Sequence, residues 1–338
     1  MENNPVFIVA EMSANHNGNK QTAIETIKAA KRAGADAIKL QTYTADTLTL
    51  NCNNGDFRIN QGTLWDGRSL YDLYQEAYTP WEWHEELFHV AKEEGLICFS
   101  TPFDKTAVDL LESLGNPIYK IASPEIVDIP LISYVARKQK PIVLSTGIAT
   151  HEDILLAMET CRENNNKDIT ILKCTTAYPA PLEEANLCMI RDFVARYEVK
   201  AGLSDHTLGN MASIIAVAMG ATMIEKHFIM DRSMGGVDAA FSMDEREFKI
   251  LVNDIRTAEK AIGQVSYKLT EKMEIGREFA RSLYVAEDIK LGDIITERNV
   301  RSVRPGYGLH PKFLSKILGK KVNRNLEKGS RMSLKFID

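Results

Sequence analysis

The sequence predicts an α/β protein: a (β/α)₈ TIM barrel with a small mixed domain at its C-terminal end. Three observations lead there. Eight short apolar runs alternate with helix-length segments across roughly the first 260 residues, the pattern of parallel strands buried on both faces. Polar clusters recur at the C-terminal end of each run, where barrel active sites form. After Gly263 the pattern breaks into short apolar pieces separated by glycine and charge.

The elements follow in order. Val6–Ala10 reads as the first strand. Lys20–Arg32 has helical periodicity, with Ala23, Ile24, Ile27, Ala30 and Ala33 on one face, and Gly34 stops it. Ala37–Gln41 is the second strand. A long insertion rich in Asn, Asp and Gly then runs to about Thr79, and Pro80 opens another helix. Leu96–Ser100, Pro117–Ile121, Pro141–Ser145 and Ile169–Lys173 are strands three to six. Runs ending at His206 and His227 make seven and eight, and the last barrel helix covers Asp244–Ile262. A doubly wound open sheet is the runner-up, but no Gly-x-Gly-x-x-Gly turn follows the first strand. The expected domains are residues 1–263 for the barrel, 264–282 for a linker and 283–338 for the tail, which alone would be marginally stable.

Composition narrows the function classes. A formal net charge of −5 argues against a general nucleic-acid surface, which needs a basic excess. No apolar run approaches a membrane span. Met1–Pro5 lacks a basic segment followed by an apolar one, so no signal peptide is expected. Five cysteines without a Cys-x-x-Cys pair suggest reduced thiols and a cytoplasmic location. Cys98 and Cys174 lie in apolar runs and read as small core residues. Trp81, Trp83 and Phe88 stand at helical spacing and read as core packing. Glu85–Glu86 and Lys92–Glu94 read as a solvated helix face.

The strand ends carry the chemistry. Strand one ends in Glu11, with Ser13, Asn15 and His16 beyond. Strand two carries Lys39 and Gln41, strand three Thr101, strand four Lys120, Ser123 and Glu125, and strand five Ser145, Thr146 and Gly147. Strand six gives Lys173, Thr175, Thr176 and Tyr178; strand seven Ser204, Asp205 and His206; strand eight Glu225, Lys226 and His227. Two neutral imidazoles on one face can hold a divalent metal; either alone reads more readily as a hydrogen-bonded core histidine. A lysine inside a barrel strand needs an anion. Lys39 and Lys120 have two ways to find one: a buried pairing with Glu11 or Glu225, or an oxyanion ligand. The neighbouring Ser and Thr hydroxyls favour phosphate or carboxylate.

Four stretches, Phe7–His16, Gly34–Tyr43, Tyr119–Ser123 and Gly202–Thr207, resemble motifs of the sialic acid synthase family. The likeness spans nearly the whole chain, and the tail resembles that family's antifreeze-like (SAF) domain. Within the family, Gly62–Arg68, Leu70–Tyr74 and Arg304–Phe313 are most similar to the branch that makes pseudaminic acid. The resemblance implies condensation of phosphoenolpyruvate with an open-chain amino sugar, here 2,4-diacetamido-2,4,6-trideoxy-L-altrose. The product is a nine-carbon 2-keto acid and phosphate leaves by C–O cleavage. It implies that His206 and His227 bind Mn²⁺, with Mg²⁺ or Co²⁺ as alternatives. It places Lys39, Lys120, Thr101, Ser123, Ser145 and Ser204 on phosphoenolpyruvate. It sets Glu11, Gln41, Glu125, Thr176, Tyr178 and Asp238 around the sugar and reaction centre, with Glu11 as acid/base. Arg304 would reach the barrel mouth of a partner subunit in a domain-swapped homodimer. Thr176, Lys226 and Glu278 depart from the sialic acid pattern (Asn, Arg and an aromatic), and all three are expected near the sugar side. They set N-acetylmannosamine in doubt and suit a 6-deoxy sugar.

Three rivals remain at this stage. One is a related synthase, for N-acetylneuraminic or legionaminic acid or for a sugar phosphate. The second is a metal aldolase, which would need no phosphate cradle. The third is a non-catalytic carbohydrate-binding protein using the tail, against which the set Glu11, Lys39, Lys120, His206 and His227 speaks.

Overall fold

A computed structural model describes residues 4–60, 62 and 65–338. Met1–Asn3, and Thr63 and Leu64 of the branch motif, lie outside the described residues. The chain forms two compact units, one ending at Gly263 and one spanning Gln264–Asp338.

In the first unit eight parallel strands close a barrel in chain order: β1 (Phe7–Glu11), β2 (Ala37–Thr42), β3 (Ile97–Pro102), β4 (Tyr119–Ile121), β5 (Ile142–Ser145), β6 (Ile169–Cys174), β7 (Lys200–Asp205) and β8 (Met223–His227). Closure is the pairing of β1 with β8, from Phe7 opposite Met223 to Glu11 opposite His227. Helices sit between the strands as the periodicity predicts. Lys20–Ala33 is capped by the Asn19 side chain and ends at Gly34, whose φ of 92° suits glycine. Glu245–Ile262 starts with a capping box from Asp244 and Glu247.

The two-residue period of the strands organises the interior. Val9, Ala37, Phe99, Val143, Leu172 and Met223 form an apolar plug with Phe7 and Ile118. Two residues further along each strand the inward row reads Glu11, Lys39, Thr101, Lys120, Ser145, Cys174, Ser204 and Glu225. Another two residues on stand Gln41, Gly147, Thr176, His206 and His227. So each strand is apolar at its base and reactive at its tip. Gly202 lets β7 fit into this packing: a Cβ there would lie 2.3 Å from the Met223 carbonyl and 2.8 Å from Leu172. The outward-facing strand residues and the helices share a separate, larger core.

The insertion between β2 and β3 is more ordered than its composition suggests. It holds helices Ala45–Leu48 and Leu70–Ala77, the second capped by Ser69. Trp83 and Phe88 pack on the barrel core, and the Trp81 indole donates to the Tyr43 carbonyl at 3.1 Å.

The second unit carries the helix Glu271–Arg277 and an antiparallel pair, β9 (Ser282–Val285) and β10 (Val300–Val303). Its own core includes Leu283, Val285, Ile289, Val300, Ile317 and Val322. All five cysteines are free. Among the described residues no helix is long and apolar enough to cross a membrane.

Candidate active site

The strand tips converge on a cavity of ≈ 390 Å³ at the C-terminal mouth of the barrel. Its floor is a cluster of four buried charges. Lys39 Nζ lies 2.6 Å from Glu11 and 3.6 Å from Glu225; Lys120 Nζ lies 2.7 Å from Glu225. Both lysines thus have the carboxylate partners that the sequence left open as one alternative. Thr101 supports Lys39 Nζ at 3.3 Å, and Ser204 donates to Glu225 at 2.9 Å.

The two carboxyls are not equivalent. Burial raises the pKa of Glu11 more than the nearby Lys39 lowers it. Burial also opposes the charge on Glu225, but Lys120 and Lys39 outweigh it and bring that carboxyl down to about 2. Burial lowers the Lys120 ammonium despite its partner, while Lys39, attracted by Glu11 and Glu225 against the same burial, is raised. One carboxylate is therefore a fixed counter-ion and the other is poised to exchange a proton.

The two histidines stand together at the rim, ring centroids 5.3 Å apart. The Nδ1–H of His206 donates to the Thr175 carbonyl at 2.9 Å, which leaves Nε2 as the lone-pair nitrogen. His227 Nδ1 is buried without a hydrogen-bond partner among the described residues. Burial, then the neighbouring His206 and Lys39, holds the His227 imidazole neutral well below its ordinary pKa. A backbone carbonyl fixing one ring and an unpartnered buried nitrogen on the other suit a metal ligand pair. Among the described residues no third His, Cys, Asp or Glu completes a ligand cluster with them. Tyr178 packs on His206 with centroids 4.4 Å apart, and Phe241 lies 5.0 Å from both Tyr178 and His227.

Hydroxyls and amides fill the space between. Gln41 donates to Glu11 and to Ser13, each at 3.0 Å, and Ser13 in turn donates to Asp238. Ser123 accepts from the Gly147 amide at 2.9 Å. Gly147 has no room for a side chain, because a Cβ would come within 2.0 Å of the Thr176 hydroxyl and 2.7 Å of that of Ser123. Ser145 Oγ is buried with no hydrogen-bond partner among the described residues.

Of the residues singled out from the sequence, Glu11, Lys39, Gln41, Lys120, Ser123, Ser145, Thr176, Tyr178, Ser204, His206, His227 and Asp238 line this cavity. Thr101 touches it through Lys39. Glu125 does not line it; the residue is half-buried just beyond β4, and burial pushes its carboxyl up to about 7. Arg304 is on the second unit, exposed after β10.

Some strand-end residues face elsewhere. Lys226 was expected on the sugar side, but it points away from the cavity and binds Asp205 at 2.8 Å and the Thr207 carbonyl at 2.7 Å. The pleat decides this, since neighbours on a strand face opposite ways. Glu278, expected there too, accepts from the Tyr307 hydroxyl within the second unit at 3.0 Å. Asn15 ties the first loop to Phe228 and Ser242, and His16 is a buried partner of Thr79. Cys98 is a core residue as expected, whereas Cys174 lines the cavity. Sequence reasoning missed Phe241, Tyr43, Tyr74 and Phe103, which also line it. The inward period from Leu172 would have found Cys174; nothing in the local sequence marks Phe241.

Comparison with known proteins points one way. Residues 26–267 match the NeuB family and residues 280–330 the SAF domain. The chain is 49% identical over 327 residues to a pseudaminic acid synthase of Campylobacter jejuni, covering 97% of this chain and 95% of that one. It is 50% identical over 335 residues to a pseudaminic acid synthase of Helicobacter pylori, covering 99% and 98%. A crystal structure of N-acetylneuraminic acid synthetase from Leptospira borgpetersenii, in complex with citrate, superposes with a TM-score of 0.73 at 30% identity, covering 81% of this chain and 90% of that one.

Proposed function

The chain belongs to the NeuB family, and on that premise we propose that it is a pseudaminic acid synthase, a transferase that condenses phosphoenolpyruvate with 2,4-diacetamido-2,4,6-trideoxy-L-altrose. One observation carries the reading beyond the family likeness. Lys39, Lys120, His206 and His227 converge on a single cavity, so an anionic phosphoenolpyruvate and an aldehyde oxygen can be held side by side.

The residues then take these roles. Lys39 and Lys120 bind the phosphate and carboxylate of phosphoenolpyruvate, with Thr101, Ser123, Ser145 and Ser204 as hydroxyl donors. His206 and His227 would hold a divalent ion, Mn²⁺ with Mg²⁺ or Co²⁺ as alternatives, which when bound would supply Lewis-acid polarisation to the aldehyde oxygen. The enol carbon of phosphoenolpyruvate bonds to the aldehyde carbon. Water, oriented by Glu11, adds to the carbon bearing phosphate; Glu11 accepts its proton and returns it to the oxygen of the former aldehyde. The tetrahedral adduct collapses with C–O cleavage and phosphate leaves. Gln41, donating to Glu11, holds that carboxylate in place. Thr176, Tyr178 and Asp238, which line the cavity, orient the sugar. Fixing both reactants supplies a large share of the acceleration.

The SAF domain, reached through a linker at residues 264–282, crosses to a partner in a domain-swapped homodimer, and Arg304 completes the partner's site. The enzyme acts in the cytoplasm.

Phosphate release with Mn²⁺ and phosphoenolpyruvate tests this reading. Release with the trideoxy diacetamido sugar alone supports it. Release with N-acetylmannosamine returns the chain to sialic acid synthesis, and release only with a legionaminic-type sugar sinks the pseudaminic reading.

A further inference from the structure

The cavity is polar on one side and apolar on the other, and the apolar side comes mainly from the insertion between β2 and β3. In the helix Leu70–Ala77, residues 70, 73, 74 and 77 fall at i, i+3, i+4 and i+7, and all four line the cavity. That spacing is one helix face. Ile59 joins it, pinned by its own N–H to the Arg68 carbonyl at 3.0 Å and by the Gly67 N–H to its carbonyl at 2.8 Å. Phe103, from the end of β3, adjoins the same side. Trp65, in the same insertion, reaches across the mouth, 5.9 Å from Tyr178 and 6.5 Å from Phe241.

We infer that Ile59, Leu70, Leu73 and Phe103 form the specificity wall of the enzyme, which receives the 6-methyl end of the acceptor sugar and rejects a 6-hydroxyl. The inference rests on the functional reading above. The reacting aldehyde carbon belongs beside the histidines and above the lysine floor. The far end of an open-chain hexose therefore leads away from the charges, and the insertion is what it meets. A methyl group buried there sheds water favourably. A hydroxyl in its place loses its water hydrogen bonds against apolar side chains that cannot replace them. The wall is also tied down at its base, since Ser69 caps the helix Leu70–Ala77 and pairs through its backbone with Arg58.

The test compares kcat/KM for two acceptors that differ only at C6: 2,4-diacetamido-2,4,6-trideoxy-altrose and its 6-hydroxy counterpart. It uses the full-length enzyme with Mn²⁺ and phosphoenolpyruvate, in wild type, Leu70→Asn and Ile59→Thr. Wild type favours the 6-deoxy sugar, and each variant narrows that preference about 10-fold or more, while calorimetric affinity for phosphoenolpyruvate stays as in wild type. Leu70 is half-buried, so its replacement is the variant less exposed to misfolding; circular dichroism melts confirm that each variant is folded. If wild type turns over the 6-deoxy sugar but folded variants keep the wild-type preference, the wall assignment falls and the functional reading stands. If wild type turns over neither diacetamido sugar, the functional reading falls and takes the wall with it.

Discussion

Glu11 and Glu225 reach the same ammonium, Lys39 Nζ, at 2.6 and 3.6 Å, yet their carboxyls are driven in opposite directions. Glu225 also has Lys120, and two cations outweigh its burial. Glu11 shares Lys39 and faces the charge of Glu225, so burial prevails. Two carboxylates in one charged cluster thereby take different duties.

Replacing Glu11 by Gln keeps its shape and its bond to Gln41 but removes the proton acceptor. Turnover with saturating metal and substrates should fall about 10²- to 10⁴-fold, with phosphoenolpyruvate affinity by calorimetry largely retained. Near wild-type turnover would remove Glu11 from the chemistry.

Glu225 has its folded pKa depressed from 4.5 to about 2. Such a group contributes stability that is fully present above 4.5 and is lost as pH falls toward 2. Glu225→Gln should therefore lower urea stability at pH 7 by on the order of 3 kcal/mol. The gap from wild type should close through that acid window. A gap independent of pH would mean that the charge of Glu225 is not what stabilises.

His206→Ala and His227→Ala should each abolish tight Mn²⁺ binding, read by electron paramagnetic resonance of the free ion. Chelation of wild type should remove phosphate release, and added Mn²⁺ should restore it. Full Mn²⁺ affinity in both variants would place the metal elsewhere.

Lys226 faces away from the cavity and holds buried Asp205. Lys226→Met should destabilise the fold by about 3–5 kcal/mol, because it leaves a buried carboxylate unpaired. The KM for sugar in the surviving folded fraction should not change. A raised sugar KM with unchanged stability would put Lys226 back at the substrate.

Mixing subunits tests the crossing of the tail. Glu11→Gln and Arg304→Ala subunits, each weak alone, should regain activity when unfolded together and refolded. In a swapped dimer one barrel then meets one intact tail. No recovery would mean that each tail serves its own barrel or none.

The eight strands were legible because their apolar runs are short, regular and separated by helical periods. The floor was legible too, since Lys39, Lys120 and Glu225 interrupt apolar strands where only an inward site explains them. Direction was harder to read. Lys226 and His227 look alike as a polar cluster, and only the pleat sends them to opposite faces. Cys174 looked like filler, yet it shares the parity of Leu172. The insertion shows its Asn, Asp and Gly more plainly than its helix, because Leu70, Leu73, Tyr74 and Ala77 make a single face only eight residues long. Their burial becomes apparent only when the cavity beneath them is known. Phe241 comes to the site from a distant loop, and no local pattern announces such a contact.

The salt bridge between Asp205 and Lys226 joins residues that sit opposite each other on β7 and β8, and the next residues in the chain are the two histidines. The seam between these strands thus has a permanent fastening on its outer side and room for a removable one on its inner side. On the proposed reading of His206 and His227 as metal ligands, that outer fastening would hold the strands together whether or not an ion is bound. Metal exchange in this barrel should run as simple ligand substitution, with no refolding step behind it.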